Sequence, residues 1–181
     1  LDGYYKDVIL ILKAFAKFNM QIPDYRLIIC GKYKPSTGII IKEAMNNLKL
    51  NEGIVEFTGY VPDERLREYC QKATALISPL WNDQRSKARF PTKIASYLFA
   101  ARPVLTCDVG ETGKYLKDFE NALFFEPGDE SGLCRLMEKC ALDQFLAQKI
   151  GKAGYNLASE AFDFRRHSEK LNNLFESAIN N

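Results

Sequence analysis

The segment Thr74–Cys107, with the sequence TALISPLWNDQRSKARFPTKIASYLFAARPVLTC, predicts a strand, a helix and a second strand in that order. Its first five residues, TALIS, are a short apolar run of the kind that forms a buried strand. A polar, basic loop follows over residues 81–91, and Pro91 favours the start of a helix through Ala101. The run PVLTC at Pro103–Cys107 predicts the next strand. The segment is therefore typical of two parallel strands joined by a helix.

The same alternation of strands and helices continues on both sides of this segment. Short apolar runs predict further strands at Arg26–Gly31, Ile54–Thr58 and Leu123–Phe125. Apolar spacing predicts helices over residues 6–18, up to Leu48, from Pro62, after Asp129, and over residues 143–159 and 164–179. This order is typical of an α/β fold with a doubly wound, Rossmann-like parallel sheet and right-handed crossovers. Such sheets bind ligands at the carboxyl ends of their strands.

The first predicted element has an alternative assignment. Val8–Leu12 taken alone also fits a strand, and the following KAFAKF favours a helix. A doubly wound sheet normally begins with a central strand, so we expect that strand upstream of Leu1. Residues 1–181 then form a single domain whose sheet lacks one member.

Composition and charge argue against several classes of protein. The 181 residues are 46% hydrophobic and 27% charged, which is typical of one globular domain. A net charge of +2 argues against nucleic acid or a membrane surface as the partner. No apolar run approaches the ~20 residues that a membrane span needs. The sole histidine, His167, lies in a polar stretch and is expected at the surface.

The cysteines do not indicate a disulfide framework or a zinc site. Their number is odd, and none of their spacings is C-x-x-C. Three of them lie in apolar patterns, where cysteine acts as a small hydrophobic residue. This usage favours a reducing, cytoplasmic location. The five are Cys30, Cys70, Cys107, Cys134 and Cys140.

Cations gather where the chain leaves the predicted strand that ends at Ser78. Arg85, Lys87 and Arg89 lie in the following loop, and Lys93 lies in the first turn of the next helix. A helix N-terminus offers unpaired N–H groups and the positive end of the helix dipole. Together these groups are suited to bind a diphosphate. The alternative is a solvated basic loop without a ligand.

The stretch Phe90–Thr106, FPTKIASYLFAARPVLT, resembles the characteristic region of retaining GT-B glycosyltransferases of the group 1 family, which includes sucrose, trehalose and lipopolysaccharide transferases. Four other segments resemble segments of that family in the same order. They are YKDVILILKAFAKF, RLIICG, VEFTGYVPDERLREYCQKATALISPL and DVGETGKYLKDFENALFFEPGD. Each segment alone is weakly specific, whereas the ordered set extends over residues 4–177.

The resemblance implies the C-terminal half of a GT-B fold and the transfer of a sugar from a nucleotide-diphosphate sugar to an acceptor, with retention of configuration. It implies no cofactor and no essential metal, and the sequence contains no Asp-x-Asp motif. The acceptor and any membrane association would depend on an N-terminal domain outside this sequence, so these residues alone would be inactive. Residues 164–179 would form a closing helix towards that domain. Bacterial relatives often serve polysaccharide biosynthesis.

The resemblance also assigns four residues to the donor diphosphate. Lys6 matches the lysine that reaches the diphosphate, and its usual arginine partner would lie upstream of Leu1. Thr92 and Lys93 match the start of the helix beneath the phosphates, and Arg89 is grouped with them. The alternatives are an exposed lysine at position 6 and a solvated lysine at the helix start.

The nucleotide base, by the same resemblance, would be held by Gly59, Tyr60 and Val61, largely through backbone groups. Gly31 ends the segment that resembles the strand of the family's glycine loop, and it is a further candidate. The alternative for Tyr60 is an ordinary half-buried aromatic in a loop.

Two glutamates of the family pattern are absent from this sequence. Aligned through Pro103–Val104, their positions are Ala88 and Ser96. The second glutamate usually binds the ribose hydroxyls with a charged hydrogen bond of about 1.5–3 kcal/mol, part of which the Ser96 hydroxyl would keep. Ala88 offers no polar contact to the donor sugar, so we hypothesise that Glu111 supplies a substitute carboxylate; alternatively, Glu111 caps the following helix. Ala101 replaces a family glycine that mainly serves close packing.

Two other classes of function stay open. Loss of the glutamates favours a degenerate, non-catalytic GT-B-like module that binds a nucleotide or is purely structural. Nucleotide binding, and turnover of a donor by the full-length protein, distinguish that module from an enzyme. A dinucleotide-dependent oxidoreductase has a related fold and needs G-x-G-x-x-G after its first strand. No later strand-to-helix turn in this sequence has that motif.

Overall fold

The computed structural model describes residues 1–88 and 90–179 of the chain. A 3₁₀ turn at Asp2–Tyr4 precedes the first helix. Within the described ranges, the strands are β1 (Leu27–Cys30), β2 (Val55–Gly59), β3 (Leu76–Ser78), β4 (Val104–Thr106) and β5 (Leu123–Phe124). The helices are α1 (Tyr5–Gln21), α2 (Pro35–Asn47), α3 (Asp63–Lys72), α4 (Gln84–Lys87), α5 (Thr92–Leu98), α6 (Thr112–Tyr115), α7 (Glu130–Leu142), α8 (Gln144–Ala161) and α9 (Phe164–Ile179).

The strands pair only in parallel and form two sheets within the described residues. One sheet is β1–β2, and the other has the order β3–β4–β5. Leu27 faces Val55 in the first sheet, and Leu105 lies between Ile77 and Leu123 in the second. The predicted α/β class with parallel strands and intervening helices is therefore confirmed.

One hydrophobic core joins helices α1, α2, α5, α7 and α8 to both sheets. Helix α1 packs along α7, and its side chains at helical spacing, including Val8, Leu12 and Phe15, are buried. This confirms the helical assignment of Val8–Leu12. Complete burial of a leucine such as Leu12 contributes about 2 kcal/mol of transfer free energy.

The two sheets leave apolar surface incompletely covered between them. Helix α3, which runs from β2 to β3, contains no buried residue. Ile28, in the middle of β1, is 39% exposed, although a strand within a parallel sheet is normally covered on both faces. β1 pairs only with β2, and β3 only with β4, among the described residues. A central strand upstream of Leu1 is compatible with these open edges and stays a prediction.

The N-terminal segment contacts the ends of both sheets. Asp2 Oδ1 accepts hydrogen bonds from Lys34 N, at 2.9 Å, and from Thr37 Oγ1, at 2.6 Å, after the end of β1. These bonds lower the pKa of the Asp2 carboxyl. On the other side, Trp81 Nε1, after the end of β3, donates to Asp7 Oδ1 at 2.6 Å. Residues 2–7 are thus fixed at two points.

Two local predictions needed correction. The basic loop predicted over residues 81–91 contains α4, because Asp83 caps a short helix by accepting from Ser86 N at 2.7 Å. The helix predicted to run through Ala101 ends at Leu98. Ala101 has φ +54°, so the chain reverses there before β4. The family's glycine at this position therefore also relieves backbone strain.

Helix α9 has exposed apolar side chains at helical spacing: Phe164, Leu171, Leu174 and Phe175. Its direction towards a further domain stays a prediction. His167, in the same helix, is exposed as expected. No described helix combines the length and the apolar character needed to cross a membrane.

We expect Ala101→Gly to stabilise the fold. Ala101 is exposed and left-handed, so glycine removes strain of about 1–2 kcal/mol and loses little packing. Greater freedom of the unfolded chain offsets about 0.4–1 kcal/mol of that gain. Urea unfolding should therefore show a rise of about 0.5–1 kcal/mol in the free energy of unfolding. The control Ala95→Gly, inside α5, should lower it by about 1 kcal/mol; destabilisation by both variants would contradict this account.

Candidate functional site

Two predicted glycines meet at the carboxyl ends of β1 and β2. Gly31 N donates to Gly59 O at 2.8 Å, and both residues have positive φ, +136° and +67°. A Cβ atom on Gly31 would lie 3.1 Å from the Leu1 side chain, so glycine is suited to that position on two grounds. A Cβ atom on Gly59 would meet no atom within 4 Å, which leaves its backbone open to a ligand.

Tyr60 extends this surface. Its side chain is 71% exposed, so the alternative of a half-buried aromatic is wrong. Lys32 Nζ lies 5.7 Å from the centroid of the Tyr60 ring. Val61 follows and is half-buried. Sequence reasoning missed Lys32, although its position one residue after the strand-ending Gly31 was a signal for it.

A second group of side chains forms beyond the end of β3. Arg85 Nη2 donates to Tyr4 Oη at 3.0 Å, and Arg85 Cζ lies 5.1 Å from the centroid of the Tyr4 ring. Lys93 Nζ lies 4.6 Å from the same centroid. The structure therefore brings two of the predicted cations together on an aromatic residue that sequence reasoning missed. Arg89, predicted with them, lies outside the described residues.

The other residues predicted to bind the diphosphate are accessible. Thr92, the first residue of α5, is exposed. Lys6 is exposed in the first turn of α1, directly before Asp7, which Trp81 holds beside the end of β3. The positions of these side chains are consistent with the predicted roles, which stay predictions.

The residues at the positions of the missing glutamates offer few polar groups to a ligand. Ala88 is exposed at the C-terminal end of α4. Ser96 is exposed on α5, and its Oγ donates to Thr92 O at 3.5 Å, the limit for a hydrogen bond. The Ser96 hydroxyl is therefore weakly held.

Glu111 lies on the loop after β4, beside α4. A Cβ atom on the preceding Gly110 would lie 2.6 Å from Ser86 O, so the two segments are in close contact. Glu111 occupies the N-cap position of α6, but its side chain makes no capping hydrogen bond. It pairs with Lys114 at 2.7 Å and raises the pKa of that lysine. The structure thus places a carboxylate near the segment that carries Ala88.

Buried titratable groups near the strands stay neutral at pH 7. Burial raises the pKa of the Tyr97 phenol to about 12, that of the Cys107 thiol to about 11 and that of the Cys140 thiol to about 12. All five cysteines are free. The charge of the strand-end surface therefore comes from its exposed side chains.

A cavity of about 420 Å³ lies elsewhere, between β5 and the start of α7. Its acidic lining is unsuited to a diphosphate, because like charges repel. The charged lining residues are Asp108, Asp118, Glu126, Asp129 and Arg135. Across residues 1–88 and 90–179, no group of three or more His, Cys, Asp or Glu side chains is arranged to hold a metal ion.

Exposed cations that follow β1 and β3 include Lys32, Lys34, Arg85, Lys87 and Lys93, and Lys6 is exposed in the first turn of α1. Three nearby aspartates accept hydrogen bonds: Asp2 from Thr37 Oγ1, Asp7 from Trp81 Nε1, and Asp83 from Ser86 N. The surface therefore combines exposed positive charge, two aromatic rings and open glycine backbone. Such a surface is suited to an anion that carries a flat ring.

The class that this architecture defines is the C-terminal domain of the GT-B glycosyltransferases, whose solved structures share its parallel α/β fold. The family model described as "Glycosyl transferases group 1" matches residues 2–157, and the chain belongs to that family. Among curated proteins, none matches the chain in sequence.

Three solved structures illustrate the similarity. Sucrose-phosphate synthase from Thermosynechococcus elongatus has a TM-score of 0.78 and 19% identity, covering 93% of this chain and 42% of that one. HepE from Anabaena, in complex with UDP-glucose, has a TM-score of 0.81 and 17% identity, covering 98% and 46%. The C-terminal domain of LpcC from Francisella tularensis has a TM-score of 0.73 and 16% identity, covering 86% and 79%. This chain spans less than half the length of the first two.

Proposed function

We propose that this chain is the donor-binding domain of a glycosyltransferase that moves a sugar from a nucleotide-diphosphate sugar to an acceptor, with retention of configuration. The observation that carries the proposal is the convergence of Arg85 and Lys93 on Tyr4 beyond the end of β3. Ligands of α/β sheets bind at this end of the strands. Membership of the group 1 family gives the reaction class.

The cations act on the leaving group. As the bond between the sugar and the diphosphate breaks, negative charge grows on the diphosphate oxygens. Lys93 and Arg85 stabilise that charge more strongly than they stabilise the bound donor, which lowers the barrier. Lys6 and Thr92 contribute an ammonium group and a hydroxyl from the adjoining helix starts.

The nucleoside lies against the ends of β1 and β2. Backbone groups of Gly59 and Val61 bind the base, the Tyr60 ring packs against it, and Gly31 leaves room for the approach. The Ser96 hydroxyl binds the ribose. HepE was solved in complex with UDP-glucose, so UDP is the first nucleotide to test.

The acceptor binds to a second domain, towards which the apolar side chains of α9 are directed. These include Phe164, Leu171 and Phe175, all more than half exposed. The five free thiols favour a cytoplasmic location, where nucleotide sugars are also used. The product is a polysaccharide or its precursor.

A second candidate is a non-catalytic nucleotide-binding module. Ala88, which has no polar side-chain atom, and Ser96, with its long hydrogen bond to Thr92, favour it. Turnover of a nucleotide sugar by the full-length protein would exclude this candidate. Nucleotide binding without turnover would support it.

The central test is calorimetric titration of the domain with UDP, GDP and ADP. We expect one of them to bind, and Lys93→Ala to weaken that binding by about tenfold, because it removes a charged contact to the phosphates. The control Lys152→Ala changes an exposed lysine on α8 and should leave the affinity unchanged. If neither the folded domain nor the full-length protein binds any of the three, or if Lys93→Ala has no effect, the proposed site is wrong.

Restoring a carboxylate to the ribose position should strengthen binding. We expect Ser96→Glu to raise the affinity for UDP by about tenfold, because a charged hydrogen bond replaces a weak neutral one. The control Ser96→Gln supplies an uncharged group of similar size and should gain about threefold at most. An equal gain for both variants would exclude the charge as the cause, and a loss for both would show that Ser96 does not face the ribose.

Glu111→Gln tests the substitute carboxylate. We expect it to weaken the binding of UDP-glucose by about tenfold and that of UDP much less, because the carboxylate contacts the sugar. Lys114→Gln removes the partner of Glu111 and keeps the carboxylate, so it should retain the affinity. If Glu111→Gln leaves the affinity for UDP-glucose unchanged, Glu111 is not the substitute carboxylate, and its role is limited to the ion pair with Lys114.

A further inference from the structure

Tyr4 holds two cations at once in the free domain. Arg85 both donates to its hydroxyl, at 3.0 Å, and lies over its ring, whereas Lys93 contacts only the ring, at 4.6 Å. Tyr4 is half-buried, and both cations are exposed.

Two like charges on one ring repel each other, so the arrangement requires a compensating attraction. The negative face of the Tyr4 ring supplies part of it. An anion that binds between Arg85 and Lys93 would add to this attraction, because the two cations are already held close to one ring before it binds. The ring therefore orders both cations before a ligand arrives.

Tyr4 can do this because its backbone is fixed on both sides. Asp2, at the start of the same 3₁₀ turn, bonds Lys34 N and Thr37 Oγ1. Asp7, one turn later, accepts from Trp81 Nε1. The ring thus has a defined position relative to α4 and α5, which carry the two cations.

We propose that Tyr4 is a positioning residue for the diphosphate group of the donor, acting through Arg85 and Lys93. This inference rests on the proposed function and adds a residue for which the family resemblance gives no role. Tyr4 need not contact the nucleoside. The contribution of Tyr4 to the affinity for a ligand should therefore require phosphates on the ligand and both cations on the protein.

The test compares three probes, UDP, inorganic pyrophosphate and uridine, by calorimetry and by NMR titration. We expect Tyr4→Leu to lower the affinity for UDP and for pyrophosphate by about fivefold, because two cation–ring contacts are lost. The affinity for uridine, which has no phosphate, should not change. Tyr4→Phe keeps the ring and loses only the hydroxyl that accepts from Arg85, so it should recover most of the affinity.

A double-mutant cycle shows whether Tyr4 acts through the cations. In an Arg85→Ala, Lys93→Ala background, we expect Tyr4→Leu to change the UDP affinity by less than about twofold. Three results for Tyr4→Leu would overturn this inference and leave the proposed function standing. They are the same fivefold loss of UDP affinity in that background, an equal loss of affinity for uridine, or no loss of UDP affinity in the parent domain. Failure of both the parent domain and the full-length protein to bind pyrophosphate or any of UDP, GDP and ADP would instead refute the proposed function, and this inference with it.

Discussion

The hydrogen bond from Trp81 Nε1 to Asp7 Oδ1, 2.6 Å long, connects the start of α1 to the chain that leaves β3. It spans 74 residues of sequence and joins parts that the described strand pairing leaves separate. The Trp81 ring also borders Gly128, where an added Cβ atom would lie 3.3 Å away. One indole therefore sets the spacing between α1, the end of β3 and the loop before α7. The bond is charge-assisted, and such bonds are stronger than neutral ones.

The rest of the surface follows from this constraint. Since Asp7 is fixed, Tyr4 and Lys6, within three residues of it, have a restricted range of positions. Asp2 extends the restriction to the start of α2. The N-terminal segment therefore faces β1 through Asp2 and faces β3 through Tyr4 and Asp7. Arg85 of α4 and Lys93 of α5 lie close together because both contact Tyr4 of this short segment.

Much of the fold was predictable because its signals are local. Apolar runs locate all five strands, and Pro62 and Pro91 lie directly before α3 and α5. Helix α4 was missed since its four polar residues have no periodicity, although the Asp83 side chain caps its start. The positive φ of Ala101 could not be predicted, because an alanine side chain does not indicate a left-handed backbone.

The sequence predicts many of the residues of the candidate site, but it predicts fewer of the contacts between them. Cations and glycines at strand ends follow from the order of elements. The contact between Tyr4 and Arg85 does not, because the two residues are 81 positions apart and no periodic pattern links them. Likewise, the contact between Gly31 and Gly59 depends on the register of β1 against β2, which contains an irregularity at Cys30. Long-range register and side-chain pairing are properties of packing, which the sequence pattern alone does not specify.

The two ends of the surface differ in how much of their chemistry is present. In the proposed donor site, the end assigned to the diphosphate has two exposed cations in contact with Tyr4, whereas the end assigned to the ribose and sugar has Ser96 and Ala88 in place of carboxylates. Each missing charged hydrogen bond is worth about 10- to 100-fold in affinity. On the proposed assignment, the affinity for a donor would depend mainly on the diphosphate, and other contacts would have to discriminate between sugars. Exposed charges are screened over about 8 Å at physiological ionic strength, so a cation attracts a phosphate strongly only when the two are close. In the proposed site, which lacks both glutamates, the ordering of the cations would therefore matter more than in a domain that has them.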